Sequence, residues 1–339
     1  MDCSGSEPRR RGRDAADGYV GAIDRGVRYL AAAQEADGAF PSLRSVDPQF
    51  TKWVPAGECF VTLYILCALR HVQHRGLRGA RRRASHAALK EMTPAGLWRF
   101  LTTSAHEVAT YPWPLDADST TLGSMALRHR SLRLLLRRNA AHLLKWRDDQ
   151  GRFLTWIEEM GYINPVCAGT NANVVWYLGE AGCTVPVIGW LIDIVTSRTD
   201  QDHQAWYPGA MHVNYLVSRA AYESAPGLRQ VNRDLEARVV ESLGDNVAQC
   251  SDLSVAQALC TLVRVGAGGH RLVRLLADRL VEGQLADGSW PAAPAYGARL
   301  SDAVPGIPVQ PMYYWGSPAL TTGVALEALA LVGSRFRAP

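Results

Sequence analysis

Apolar residues recur along this chain in two alternating patterns. One kind of segment carries them at helical spacing on a single face: DGYVGAIDRGVRYLAAAQ, ASHAALKEMTPAGLWRFL, SLRLLLRRNAAHLLKW, VPVIGWLIDIVTSR, LRQVNRDLEARVVESL and HRLVRLLADRLVEGQ. Each pairs with a shorter segment that is apolar almost all round: ECFVTLYILCALRHV, TTLGSMAL, NANVVWYLGE, MHVNYLVSRAAY, DLSVAQALCTLVRVG and LTTGVALEALALV. A helix with one apolar face can meet water, whereas one with no polar face must be enclosed. No segment shows sustained period-two alternation. The pattern predicts an all-α protein: twelve helices in one α6/α6 barrel over residues 18–339, six inner helices inside six outer ones. The inner ring is expected to include 120–127, 171–178, 213–222, 253–263 and 321–331.

Such a barrel gathers the starts of its inner helices, and the long loops 38–58, 104–118, 200–211 and 291–319, around one opening. Loops on a rigid scaffold are where function is usually carried. These hold Trp53, Trp113, Trp206, Tyr207, Tyr313, Tyr314 and Trp315, whose π faces attract cations, although loop packing alone accounts for any one of them. They also hold Asp116 and Asp118, followed by Ser119, Thr120 and an apolar helix. Helix capping is the commoner reason for such a cluster. The sharper reading is a carboxylic acid kept protonated by a second carboxylate in an apolar setting. Asn173, His212, Tyr215, Asp252, Tyr314 and Trp315, near the starts of inner helices, are expected to face the same cavity.

Composition narrows the options. In 339 residues, 47% hydrophobic and 20% charged, no run reaches the roughly 18 apolar residues of a membrane span. Residues 1–17 have no apolar stretch behind their arginines and read as a flexible basic tail rather than a signal peptide. The net charge of +4 rests on arginine runs that suit solvated helix faces, with no element for reading nucleic acid. Seven cysteines without a CxxC pair read as reduced thiols of a cytoplasmic protein.

Two segments repeat one another: Gln34-Glu-Ala-Asp37-Gly38-Ala-Phe40 and Gln284-Leu-Ala-Asp287-Gly288-Ser-Trp290. The pattern resembles the QW motif of triterpene cyclases and their relatives. With Asp116-Ala-Asp118-Ser119-Thr120, residues 19–335 are similar to the β domain of class II terpene cyclases. WYLGE behind NAN, and YYWGS before LTTGVALEAL, strengthen the likeness. The resemblance implies protonation-initiated cyclisation of a linear isoprenoid, an isomerase- or lyase-type reaction. Asp118 would be the proton donor and Asp116 its support, with Trp113 and the six residues above against the substrate. It implies magnesium only if the substrate is a diphosphate, and no metal ligands of the protein itself. Two departures stand out. Ser119 replaces a common third Asp, and the second helical domain of many relatives is absent, so the cavity must be closed by the barrel's own loops or by another chain, a second copy included.

Competing readings lack their residues. Asp148-Asp149-Gln150-Gly151-Arg152 is short of the aspartate-rich motif of diphosphate-ionising synthases, and no Asp, Cys and His are spaced like the zinc site of protein prenyltransferases. A carbohydrate-active α/α barrel would use two acids across an open polar cleft. A non-catalytic barrel would bind an isoprenoid or a partner protein.

Overall fold

The computed structural model describes residues 7–105, 113–128, 133–159, 164–244, 246–298 and 311–336. Among them are twelve α-helices: α1 Glu7–Ala33, α2 Phe60–Ala68, α3 Leu77–Lys90, α4 Ala117–Ala126, α5 Arg133–Leu143 and α6 Ala168–Leu178, then α7 Val185–Thr196, α8 Ala210–Glu223, α9 Asn232–Leu243, α10 Asp252–Arg264, α11 Arg271–Glu282 and α12 Pro318–Phe336. The even-numbered helices pack in cyclic order, α2 on α4, α4 on α6, and so on until α12 closes on α2. Their sequences dictate this. Every residue of α2 is buried, as is every residue of α10 but Ser254, because neither has a broad polar face to turn to water. Odd-numbered helices such as α11 bury one stripe, here Leu272, Val273, Leu276, Ala277 and Leu280. No helix of the described residues is long and apolar enough to cross a membrane.

Three expectations need correction. Helix α1 starts at Glu7, inside the segment read as a tail, because Arg and Ala residues continue the helix outward; residues 1–6 lie outside the described residues. Helix α3 covers Leu77–Lys90, not 84–101, because Thr93-Pro94-Ala95-Gly96 breaks it and Gly96 takes φ 78°. The chain is also not purely helical. Strands β1 Ser42–Ser45, β2 Val54–Ala56, β3 Tyr296–Ala298 and β4 Tyr313–Gly316 form an antiparallel sheet in the order β2-β1-β4-β3. Strands of three or four residues are too short for alternation to register.

The repeat seen twice in the sequence occurs four times in space. Gly38, Gly96, Gly151 and Gly288 all adopt positive φ, 78–94° by value at each. Each ends a turn whose next aromatic turns inward: Phe40, Trp98, Phe153 and Trp290 are all buried. The backbone N–H of each donates to a polar side chain early in the following inner helix: Thr62, Thr120, Asn171 and Thr322. A loop thus docks onto an inner helix by the same polar clip each time, and the loops accumulate at one end. Antiparallel bridges knit that end together, pairing Arg99 with Leu115, Asp116 with Trp156, and Leu154 with Val166.

Candidate active site

Asp116 and Asp118 play different parts. Asp116 has extended backbone and is the N-cap of α4, its Oδ1 accepting from the Ser119 N–H at 2.6 Å. Asp118 lies one step inside the helix, so capping does not explain it. Both are buried, at 4% and 3% exposure. Burial is the first cause that pushes both carboxyls upward, Asp116 to about 8, with the Asp118 charge adding to it. The sequence reading gave that role to mutual repulsion; lost hydration is the larger effect. Asp116 Oδ2 has no protein partner.

Asp118 is held by side chains from two other segments. Its Oδ2 accepts from the Tyr207 hydroxyl at 2.5 Å and from Thr170 at 3.4 Å, and its Oδ1 from the Asn173 amide at 2.5 Å. The same amide reaches the Tyr207 oxygen at 3.1 Å. Arg219, 1% exposed on α8, donates to Asn173 Oδ1. Because guanidinium only donates, it fixes the amide with its NH₂ toward Asp118. The Arg219 guanidinium also lies 3.8 Å from the centroid of the Trp176 ring. Tyr207 reaches the acid because residue 169 is glycine: a Cβ there would run into the Tyr207 ring. Burial favours the protonated carboxyl, while the donors aimed at it counter the burial and would solvate the carboxylate that proton loss leaves. The α4 N-terminus serves Asp116, whose Oδ1 takes the Ser119 N–H.

Aromatic rings crowd this end. Tyr296 is their hub, with ring centroids 4.7 Å from Phe100, 5.2 Å from Phe60, and 5.9 Å from both Tyr207 and Trp315. Trp113 joins through Phe100 at 6.0 Å and Trp156 at 5.9 Å. Of the residues expected to line the site, Asn173 binds Asp118 directly and Trp113 and Trp315 belong to the ring cluster. The His212 ring stands 6.0 Å from that of Tyr207; burial takes its basicity down to about 4, so it is a neutral imidazole. Tyr314 is half-buried on β4, its backbone paired with Ser45 and Gly297. Tyr215 belongs to another network, donating to Glu327 at 2.7 Å. Asp252 points elsewhere: it pairs with Arg279 of α11 at 2.8 Å, so its place at the start of an inner helix misled the sequence reading. Thr170, Tyr207 as a hydrogen-bond donor, and Arg219 were not anticipated. A single Arg inside MHVNYLVSRAAY, otherwise nearly apolar, was the signal available. Among the described residues, no three His, Cys, Asp or Glu side chains gather as a metal site.

No protein-family model and no curated protein matches the sequence. Solved structures do match the fold. A protein from Actinoplanes is 19% identical, with 93% of this chain and 99% of that one aligned at a TM-score of 0.68. The type II terpene cyclase MstE from Scytonema, in complex with its substrate geranylgeranyl dihydroxybenzoate, is 16% identical over 95% of this chain and 99% of its own, again at 0.68. An unsaturated glucuronyl hydrolase specific for heparin also matches, at 12% identity, 95% and 98% coverage and 0.61. The fold therefore hosts carbohydrate chemistry as well, and the choice between the two belongs to the site. The chain shares its α/α architecture with the type II terpene cyclases.

Proposed function

We propose that this protein is a class II-type terpene cyclase, an α6/α6 barrel in which Asp118 starts the cyclisation of a linear isoprenoid. The observation that carries this reading is the environment of Asp118: a buried carboxyl, pushed toward its protonated form, with three neutral donors on its oxygens and a sheath of aromatic rings. In the first step the Asp118 proton passes to one carbon of a terminal alkene. The π pair forms the new C–H bond and leaves a tertiary cation, which the next alkene attacks to close a ring. The Asp118 carboxylate left behind keeps the hydrogen bonds from Tyr207, Thr170 and Asn173. Ring faces stabilise the cation as it moves. A sugar-cleaving site would need its two acids across a polar cleft; here they share one turn of helix among Trp, Phe and Tyr. The free cysteines at 59, 67, 167, 183, 250 and 260 suit a reducing compartment such as the cytoplasm.

Substrate class is open to direct test. Geranylgeraniol, its diphosphate and geranylgeranyl dihydroxybenzoate, each with magnesium and with chelator, should yield cyclic product from at least one. A diphosphate-specific, magnesium-dependent reaction would assign the ion to the head group. Asp118→Asn should keep the fold and the cap, which belongs to Asp116, while turnover falls at least 10³-fold, within the range a positioned acid contributes. Cyclisation by a stably folded Asp118→Asn protein would remove Asp118 from the role of acid.

A further inference from the structure

A third buried carboxyl lies at the same end of the barrel and has no part in the first protonation. Glu58 stands two residues before α2, one position outside its N-cap Cys59, whereas Asp116 is itself the cap of α4, and Glu58 is 4% exposed. Its Oε2 accepts from the Val61 N–H at 2.9 Å, capping the helix, while its Oε1 is buried with no protein partner. Capping accounts for one oxygen and leaves the other unexplained.

Segment 98–101 ties this carboxyl to the aspartates. Leu115 bridges to Arg99, and Glu58 bridges to Leu101 on the same segment. Arg99 and Leu101 are two residues apart, at most about 7 Å along the chain. Both loops then lead into rings of one cluster, Phe60 on the Glu58 side and Trp113 on the aspartate side, joined through Phe100 at 5.7 Å and 6.0 Å. Tyr296, the hub of that cluster, lies within the electrostatic reach of all three carboxyls.

We infer that Glu58 is the base that ends the cascade, its Oε1 taking a proton from the carbon next to the final cation. Resting on the cyclase reading, the step balances without a co-reactant. The C–H pair becomes the product's C=C bond, the proton goes to Oε1, and the net change is one proton moved from Asp118 to Glu58. Both carboxyls then exchange with solvent to reset. A base for this step must be ionised when the acid is protonated. Burial pushes Glu58 only to about 7, opposed first by the nearby Ser42 hydroxyl and then by the Val61 and Phe60 amides, so near neutrality it is available in its ionised form.

Products from geranylgeraniol and geranylgeranyl dihydroxybenzoate, made in D₂O by wild type, Glu58→Gln, Glu58→Asp and Asp118→Asn, test this. Gln retains an oxygen for the Val61 cap but cannot accept the proton as a carboxylate does. Glu58→Gln should still deliver one deuteron at the initiating carbon, while the alkene falls at least tenfold in favour of water-captured alcohol. Glu58→Asp should recover part of the alkene. A Glu58→Gln enzyme that makes the wild-type alkene at the wild-type rate, or one that makes no product at all, overturns the inference, as does a wild-type product that is solely alcohol. If Asp118→Asn is dead while Glu58→Gln is unchanged, only the base assignment falls; if Asp118→Asn cyclises normally, the reading beneath it falls too.

Discussion

Two sets of carboxyls, buried or half-buried, belong to the inner helices, and they have opposite fates. Asp116 and Asp118, at the start of α4, touch amides and hydroxyls and make no direct ion pair. Glu223, at the end of α8, meets Arg70 at 3.1 Å and His71 at 2.9 Å and takes the Trp176 indole N–H at 3.0 Å. Glu327, on α12, is paired with Arg264 and accepts from Tyr215. Burial acts upward on Asp116 and Glu223 alike. The His71 hydrogen bond and the Arg70 charge nevertheless hold Glu223 down at about 2, while Asp116 rises to about 8. Depth alone does not make an acid; the absence of a directly bonded cation does. Arg219 stands between the two sets, and Asn173 insulates Asp118 from it by one amide.

The contrast can be broken from either side. The largest effect should come from Arg264→Met, which strands a buried Glu327 and should cost about 3–5 kcal/mol in urea unfolding. Asp118→Asn should move the same measurement by less than about 1 kcal/mol, since a neutral group replaces one that burial pushes toward its neutral form. Equal losses would mean that the aspartates are a structural pair after all. Next is Tyr207→Phe, which removes a donor from the Asp118 conjugate base. The loss of a hydrogen bond to a charged group, about 1.5–3 kcal/mol, predicts a kcat reduced about 10- to 150-fold with KM and melting temperature held. An unchanged kcat would leave the 2.5 Å contact without a catalytic meaning. The last is a slope, read as a change per pH unit. Asp116 rises from an ordinary 3.8 to about 8, so between those values the folded state binds a proton that the unfolded state lacks. Stability should then fall as pH rises through that window, by up to about 1.4 kcal/mol per pH unit, and level off above it. Asp116→Asn keeps the cap and cannot titrate, so unfolding midpoints between pH 5 and 7.5 should fall less steeply. An identical slope would assign the proton elsewhere.

Much of the architecture was readable because apolar segments announce burial. The expected inner stretches fall within α4, α6, α8, α10 and α12, apart from Leu127, which is the C-cap of α4. The site was readable only where chemistry was local. Asp116 and Asp118 stood out as neighbours, but Tyr207 lies 89 residues from Asp118, and no periodicity foretells that pairing. The turns at Gly96 and Gly151 escaped notice because they lack the Gln of the other two. In those, Gln34 and Gln284 donate to the carbonyls of Gly38 and Gly288. The fully buried charges of α8, α10 and α12 were the clue left unused: Arg219, Arg264 and Glu327 on largely apolar helices must find partners across the barrel.

Helix α12 packs on α1, α2, α10 and α11, and β4 pairs with β1, so the ring is sealed by contacts between residues more than two hundred positions apart. Ring closure of this kind gives a high contact order, and loop entropy must be met before the long-range contacts reward it. Until residues 318–336 have been made, α2 and α10 lack one of their neighbours and present apolar surface to the cell. The nascent chain is then a natural client for chaperones, and a cut that removes the closing stave should yield aggregate rather than a smaller working barrel.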